Sequence, residues 1–434
     1  MNINSLQKQI SLISFLFFVF LIPFSITWTN IFLYLSIFLT LIDKDLYKKF
    51  SLQKIGREEK LFIAFSTIYF FFNVVSLLWS EDIVRGLQLL GRYILILGFP
   101  WALYLLKTTG TLKNYKLPIY SFVLGVIVSS FVCLYLSYEN SWEETNNGLT
   151  FCSIALWKSE TVLNSILGGY NHFTYTFLSH FIHPSYFSLY FLFVIFLFLN
   201  YFTTLQQLKY KVLSICIIIY SICFIFLLQS RGNFLAVLLV ALFGIAFYAL
   251  INRSKILLIL GLCSLFLGAF FFFNNTRLAS IVSDVENTLS SYNAEQQEVT
   301  MGQNNARLII WYNAFQVIKE HPILGIGIGD TDTELENQYK KNGVDFTFGT
   351  HNQYIYAQLS MGILGLLLLL AMLLVPLYFG IKNRYFPLIG FAIAVMVNLM
   401  FENMLTRNAG LMFIPWATML LLMMSEEKKN ELAK

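Results

Sequence analysis

The chain has 434 residues; 57% of them are Ala, Val, Ile, Leu, Met, Phe, Trp, Tyr or Cys, 12% are charged, and 44 are Phe. Soluble domains carry about a quarter of their residues as charges, so this composition excludes them and leaves an all-α polytopic membrane protein. The net charge of +5 says little until it is mapped onto loops.

The first apolar stretch, Ile10 to Trp28, lacks a small-residue cleavage site and runs straight into a second, so it reads as a retained helix rather than a leader that is removed. Apolar runs of roughly 15–22 residues recur about twelve times, close to the ~20 that hydrocarbon requires. They cover 10–28, 29–42, 61–79, 87–106, 117–137, 184–203, 212–229, 233–251, 256–273, 353–380, 386–401 and 411–424. Breaks carry charge, as at Lys107, Arg253 with Lys255, Lys382 and Arg384. With the N-terminus inside, loops 43–60, 107–116, 204–211, 252–255 and 380–385 and both termini share the inner side. About 19 of the 29 Lys and Arg then lie inside, and about 17 of the 24 acids outside.

The expectation is therefore about 12 transmembrane helices, N-in/C-in, in a single membrane domain over 1–434. Two extracytoplasmic loops interrupt it, a shorter one at 138–183 and a large helical one at 274–352 between helices 9 and 10. Four of the five cysteines (Cys133, Cys216, Cys223, Cys263) fall inside apolar runs and Cys152 outside, so neither a disulfide framework nor a CxxC metal knuckle is available.

A structureless loop of some eighty residues would be unusual, and this one has pattern. Ala306 to Glu320 places Leu308, Trp311, Phe315 and Ile318 on one helical face, suited to lying on the membrane or on the bundle. In 330–343, acids crowd the first turn, Lys340 and Lys341 the last, and Asn342-Gly343 closes it, which predicts a second helix.

Three outer positions combine charge with nearness to the membrane: Arg231, in the tight turn QSRGNF, Arg307, which opens the amphipathic helix, and His351, where the large loop returns to an apolar helix. Guanidinium groups bind phosphate bidentately, and imidazole, with an ordinary pKa of about 6.5, transfers protons near neutral pH. Taken singly, a boundary Arg is commonly a lipid-headgroup anchor and a boundary His a structural hydrogen-bonder. The pattern as a whole says more.

His351-Asn352, then nine residues, Gly362, two residues and Gly365 resembles the signature of the bacterial O-antigen ligase family. That family also contains lipid-linked glycan polymerases and some protein O-oligosaccharyltransferases. Upstream, Arg307 in ARLIIWYNAF followed by HPILGIGIGD is similar to the family's run from an Arg through Trp and Ala to a Pro-x-x-Gly-x-Gly turn. Arg231 in SRGNFLAVLL is similar to its Ser-Arg-Gly segment at the head of a helix. The resemblance covers about 225–370; the N-terminal half matches only in hydropathy.

The resemblance implies transfer of a glycan from undecaprenyl pyrophosphate to a hydroxyl of lipid A–core on the periplasmic face of a bacterial inner membrane. His351 would be the base, and Arg231 and Arg307 would hold the pyrophosphate; neither a cofactor nor a metal is implied. The chemistry is coherent. Pyrophosphate is a weak base and needs no general acid, whereas charge developing as the C1–O bond breaks needs preorganised cations. Attack opposite the leaving group predicts inversion. Arg92, inside the fourth span, is a further candidate pyrophosphate contact, and Asn352 a further site candidate.

Other features point elsewhere less specifically. Asp330-Thr-Asp332 has the form of a metal-holding Asp-x-Asp, yet acids at a helix start need no metal to explain them. The run Gly325-Ile-Gly327-Ile-Gly329 follows no parallel strand, which argues against a dinucleotide turn and for close backbone approach to sugar or membrane. His172, His180 and His183 lack a completing Cys or carboxylate and are expected to hydrogen-bond at the interface. Glu402 and Arg407, in one short loop, are expected to pair. The alternative activities are a glycan polymerase, a protein O-oligosaccharyltransferase and, from another class, a lipid-linked glycan transporter. Polymerases of this family carry Arg-x10-Gly motifs, and none of Arg231, Arg277 and Arg307 has Gly at that spacing. Transport would need polar or broken helices at the midplane, where few ionisable residues lie. The expected partners are the carrier-linked glycan, the acceptor and membrane lipids, with no nucleic acid.

Overall fold

A computed structural model describes residues 3–24, 26–146, 148–252, 303–344 and 348–432. The expected span 256–273, Arg277 and the first part of the large loop lie outside the described residues. In chain order the helices are α1 (Ile3–Leu21), α2 (Ile26–Leu41), α3 (Lys44–Lys49), α4 (Arg57–Val75), α5 (Ile83–Thr109) and α6 (Lys116–Glu139). A hairpin of β1 (Trp142–Thr145) and β2 (Gly148–Phe151) follows, then α7 (Val162–Gly168), α8 (Tyr175–Leu178), α9 (Pro184–Thr204), α10 (Leu208–Leu228) and α11 (Arg231–Asn252). The remainder is α12 (Gln303–Glu320), α13 (Thr331–Lys341), α14 (Gln353–Lys382), α15 (Phe386–Asn398) and α16 (Asn408–Leu432).

Among the described residues, eight helices are long and apolar enough to cross a membrane. Three shorter apolar helices, Trp28–Leu41, Arg231–Gly244 and Phe386–Asn398, stand at other expected positions. The protein is an all-α membrane bundle with one small hairpin as its only sheet among the described residues.

α9 and α16 form the middle of the bundle. Between apolar helices in lipid, close packing rather than water exclusion drives association. The Phe-rich sequence supplies that packing: Phe413 of α16 stacks on Phe122 of α6 at 5.0 Å and 14°, and its ring centre is 4.4 Å from that of Tyr190 of α9. Phe193, Phe391 and the fully buried Trp416 complete the knot. α1, α2 and α10 instead expose rows of large apolar side chains, such as Phe17, Phe38 and Ile219, as lipid-facing helices do.

The connections gather at two opposite ends. At one, Tyr104 Oη donates to Ser51 O at 2.7 Å, Asn383 Nδ2 donates to Glu58 Oε1 at 2.6 Å, and Lys107 pairs with the buried Glu59. At the other lie segment 76–82, the hairpin loop, the 229–230 turn, α12, α13, and segments 348–352 and 399–407. All the polar chemistry of interest is at the second end.

Two expectations about the loops are refined. The shorter one is folded: Cys152 N donates to Ser141 O at 2.7 Å and His172 N to Ser153 O at 2.8 Å, which closes it on the hairpin. Helix α13 lies where the charges place it. In α12 the buried face is Ile310, Ala314, Val317 and Ile318; of the expected Leu308–Trp311–Phe315–Ile318 stripe, Ile318 is buried and Trp311 packs against that face, while Phe315 is exposed. Ala314 lets α12 approach α13 and α14 closely, while Tyr312 and Phe315 turn outward and are exposed. A close helix contact selects small and β-branched residues, so the packed face is not simply the one with the largest apolar side chains.

Candidate active site

The site is assembled from helix starts and one short loop. Asn352 caps α14, its Oδ1 accepting from Tyr354 N at 3.0 Å and Ile355 N at 3.2 Å. That engages the side-chain oxygen of a residue the sequence offered as a further site candidate. His351, just before the cap, has φ +46°, a left-handed conformation uncommon outside Gly. Neighbours over-determine it. Trp311 Nε1 donates to Thr350 O at 2.9 Å, and Thr350 Oγ1 donates to Asn403 Oδ1 at 3.0 Å.

Gln353 then ties α14 to the segment after α15: its N–H donates to Leu399 O at 2.8 Å, and its Oε1 accepts from Leu405 N at 2.9 Å. This seats Glu402 beside His351. Glu402 Oε2 is 3.5 Å from His351 Nδ1, and its Oε1 is 3.8 Å from Arg307 Nη2. The Arg307 guanidinium also lies 5.9 Å from the centre of the Phe401 ring. Burial pushes the Glu402 carboxyl up, but the hydrogen bond from His351 and the charges of His183, His351 and Arg307 outweigh it and leave it below the ordinary range. It is a carboxylate at neutral pH, and it orients the imidazole through Nδ1, leaving Nε2 as the nitrogen not facing it.

Arg231 is set by a buried amide relay. Asn233 Nδ2 donates to Ser185 O at 2.9 Å and to Ser230 Oγ at 2.8 Å, and Asn398 Nδ2 donates to Asn233 Oδ1 at 2.9 Å. These bonds lock the first turn of α11 to α9 and α15. His183 caps α9, its Nδ1 accepting from Ser185 N at 3.3 Å, while His180 Nε2 is 3.2 Å from Ser137 Oγ. Both make hydrogen bonds, as the sequence leads one to expect. Burial, with further help from His351, Arg307 and Arg407, holds His183 below its ordinary pKa against the opposing pull of Glu402.

Two cavities meet at Glu402. The smaller, of about 100 Å³, is lined by Arg231, Arg307, His183, Gln229 and Ser230. The larger, of about 440 Å³, is lined by His351, Arg85, Arg92, Arg407, Tyr186 and Tyr356. Glu402 lines both. The structure thus brings Arg231 and Arg307 together, places His351 in the adjoining cavity, and groups Arg92 with His351 rather than with the other two arginines.

The glycine run and the Asp-x-Asp have other tasks than those the sequence suggested. Ile326 N donates to Leu359 O at 3.0 Å, Gly327 N to Ser360 O at 2.9 Å and Ile363 N to Pro322 O at 2.9 Å, so the run docks on α14 where that helix breaks at Gly362. The close approach seen is of backbone to backbone. Asp330 accepts from Glu81 N and Asp82 N, both at 2.7 Å, and Asp332 pairs with Arg85 Nη2 at 2.8 Å. Both carboxylates are engaged in holding α13 to the start of α5. Nor do Glu402 and Arg407 pair as expected; Glu402 turns to His351 and Arg307. Its place was signalled only by being the lone acid between two apolar runs. Trp311, which helps to position His351, was marked only as part of an apolar stripe and of the Arg-to-Trp run, and Gln353, which seats Glu402, carried no signal.

The fold and this end of it define a polytopic helical membrane protein with a cationic, imidazole-bearing site. Residues 215–370 match the model of the O-antigen ligase family, a stretch of somewhat more than a third of the chain. The match takes in Arg231, Arg307 and His351 and leaves out Arg92, Glu402 and Arg407. The chain is also similar to an uncharacterized protein of Haemophilus influenzae, 34% identical over 104 residues, a stretch that is 21% of this chain and 26% of that protein. The similarity spans about a quarter of that relative's length.

Proposed function

We propose that the protein is a metal-independent, inverting glycosyltransferase. It moves a glycan from undecaprenyl pyrophosphate to a hydroxyl of lipid A–core on the periplasmic face of the inner membrane. The observation that carries this reading is Glu402, which faces His351 Nδ1 at 3.5 Å and Arg307 at 3.8 Å where two cavities meet. A displacement at an anomeric carbon needs its base and its leaving-group cations on opposite sides of that carbon. Here the imidazole lines one cavity and Arg231 with Arg307 the other.

In the proposed step the acceptor oxygen bonds to C1 as the C1–O bond to phosphate breaks. The acceptor proton passes to His351, whose imidazolium is stabilised by Glu402, and the carrier pyrophosphate leaves against Arg231 and Arg307. The N-in/C-in orientation from the Lys and Arg bias puts this end outside the cytoplasm, where acceptor and carrier-linked glycan meet.

A deletion strain tests the reaction type. Loss of a ligase leaves full-length glycan on the carrier. Single repeat units on core would instead mark a polymerase, and altered glycoproteins with normal lipopolysaccharide a protein O-oligosaccharyltransferase. Export of carrier-linked glycan from proteoliposomes without covalent transfer would mark a transporter.

A further inference from the structure

The larger cavity contains two guanidinium groups for which the donor chemistry has no use. Arg92 sits inside α5, well past its start, and Arg407 lies in the turn before α16; both line the cavity that holds His351. Among the described residues neither side chain makes an ion pair or a hydrogen bond. The other arginines nearby are engaged, Arg85 with Asp332 at 2.8 Å and Arg307 with Glu402 at 3.8 Å. The lining carboxylates are largely committed too. Asp82 caps α5 by accepting from Arg85 N at 2.8 Å, Asp332 holds Arg85, and Glu402 faces His351, which leaves Glu336 of α13. An arginine within a membrane-spanning helix is costly unless an anion or water meets it. Tyr186, Tyr356, Asn403 and Thr406 give the rest of the wall hydroxyl and amide groups of the kind that bind sugar.

We infer that this cavity is the acceptor subsite, and that Arg92 and Arg407 clamp an anionic substituent, a phosphate or a carboxylate, on the acceptor glycan. The inference rests on the glycan-transfer reading for its chemistry, since it puts the acceptor on the side of the base. It separates Arg92 from the carrier pyrophosphate, because Arg231 and Arg307 line the other cavity. A planar guanidinium pair recognises such a group bidentately, and an acceptor so held presents its hydroxyl toward His351.

The test is equilibrium binding of core oligosaccharide to the full-length protein in detergent, without donor. The three arms are native glycan, glycan stripped of phosphate and glycan with its carboxylates reduced. The wild type is expected to lose about ten- to hundredfold in affinity in one of the two modified arms, which identifies the anion. Arg92→Gln and Arg407→Gln are expected to show that loss with the native glycan and little more with the modified one. Arg407 is exposed, so its variant keeps the fold. Equal binding of all three glycans, wild-type binding by both variants, no binding by the wild type, or loss of donor rather than acceptor affinity would each overturn the inference. Because no turnover is read, a chain that binds acceptor in this way yet transfers nothing would sink the enzymatic reading alone.

Discussion

Gly325 and Gly362 cross at backbone contact: a Cβ added to Gly325 would lie 2.6 Å from Gly362 N, and one added to Gly362 would strike the Ile323 carbonyl. Gly362 has φ +63° and ψ −163°, a region open essentially to glycine alone, and it breaks α14 between the half that carries His351 and the half that crosses the bundle. The loop that carries α12 and α13 is thereby anchored to the helix that presents the base.

Gly362→Ala is expected to destabilise the protein by roughly 2–5 kcal/mol, from backbone strain and overpacking together. Thermal unfolding in detergent measures it. A melting temperature within a degree of wild type would show that the loop does not depend on this crossing.

Glu402→Gln keeps the shape of the side chain and removes the charge that orients His351. Transfer is expected to fall by at least about tenfold, yet by less than in His351→Ala. The pH dependence of stability has a defined sign. The carboxyl of Glu402 is held below its ordinary range, so the stability it contributes is in place above the ordinary glutamate pKa of about 4.3 and is lost as pH falls through the lower folded value. Unfolding curves from pH 7 to pH 3 should show an acid-side loss that the glutamine variant lacks.

The two acids of the Asp-x-Asp differ in cost. Asp330→Ala strips the acceptor from two backbone N–H groups at the start of α5 and is expected to cost about 1–2 kcal/mol. Asp332→Ala breaks a half-exposed pair with Arg85 and is expected to cost less than about 1 kcal/mol. Chelation with EDTA should leave transfer unchanged. Activity lost to EDTA and restored by Mg²⁺ would return these carboxylates to a metal role.

At the far end of the bundle, Lys107→Met leaves the fully buried Glu59 without its partner, at an expected cost of about 3 kcal/mol. Replacing both residues by Met should recover most of that. If the double variant is no more stable than the single one, the pair does more than neutralise a buried charge.

Which parts were legible follows from what each residue does. Runs of Phe, Leu and Ile announce helices through length and hydropathy, and charges at their ends place the breaks. α13 was legible because its acids and lysines obey the helix dipole. Arg231, Arg307 and His351 stood out by charge at a membrane boundary and by resemblance. Glu402 did not, because an acid between two apolar runs looks like any solvated loop residue until Gln353 and Thr350 bring it to His351. The backbone partner of the glycine run was not legible for a related reason: the sequence shows that backbone comes close to something, but this partner, another stretch of backbone near Gly362, lies more than thirty residues away in the chain. Of the expected α12 stripe, Ile318 and Trp311 pack inward and Phe315 does not, because close fit to α13 and α14, rather than apolar character alone, decides burial there.

The central claim is that His351 removes the proton of the incoming hydroxyl. Single-turnover transfer from a polyprenyl-pyrophosphate glycan, with saturating acceptor and EDTA present, isolates that step. The rate for His351→Ala should fall by about 10²–10⁴ with donor and acceptor binding retained. A single-turnover rate equal to wild type would contradict it.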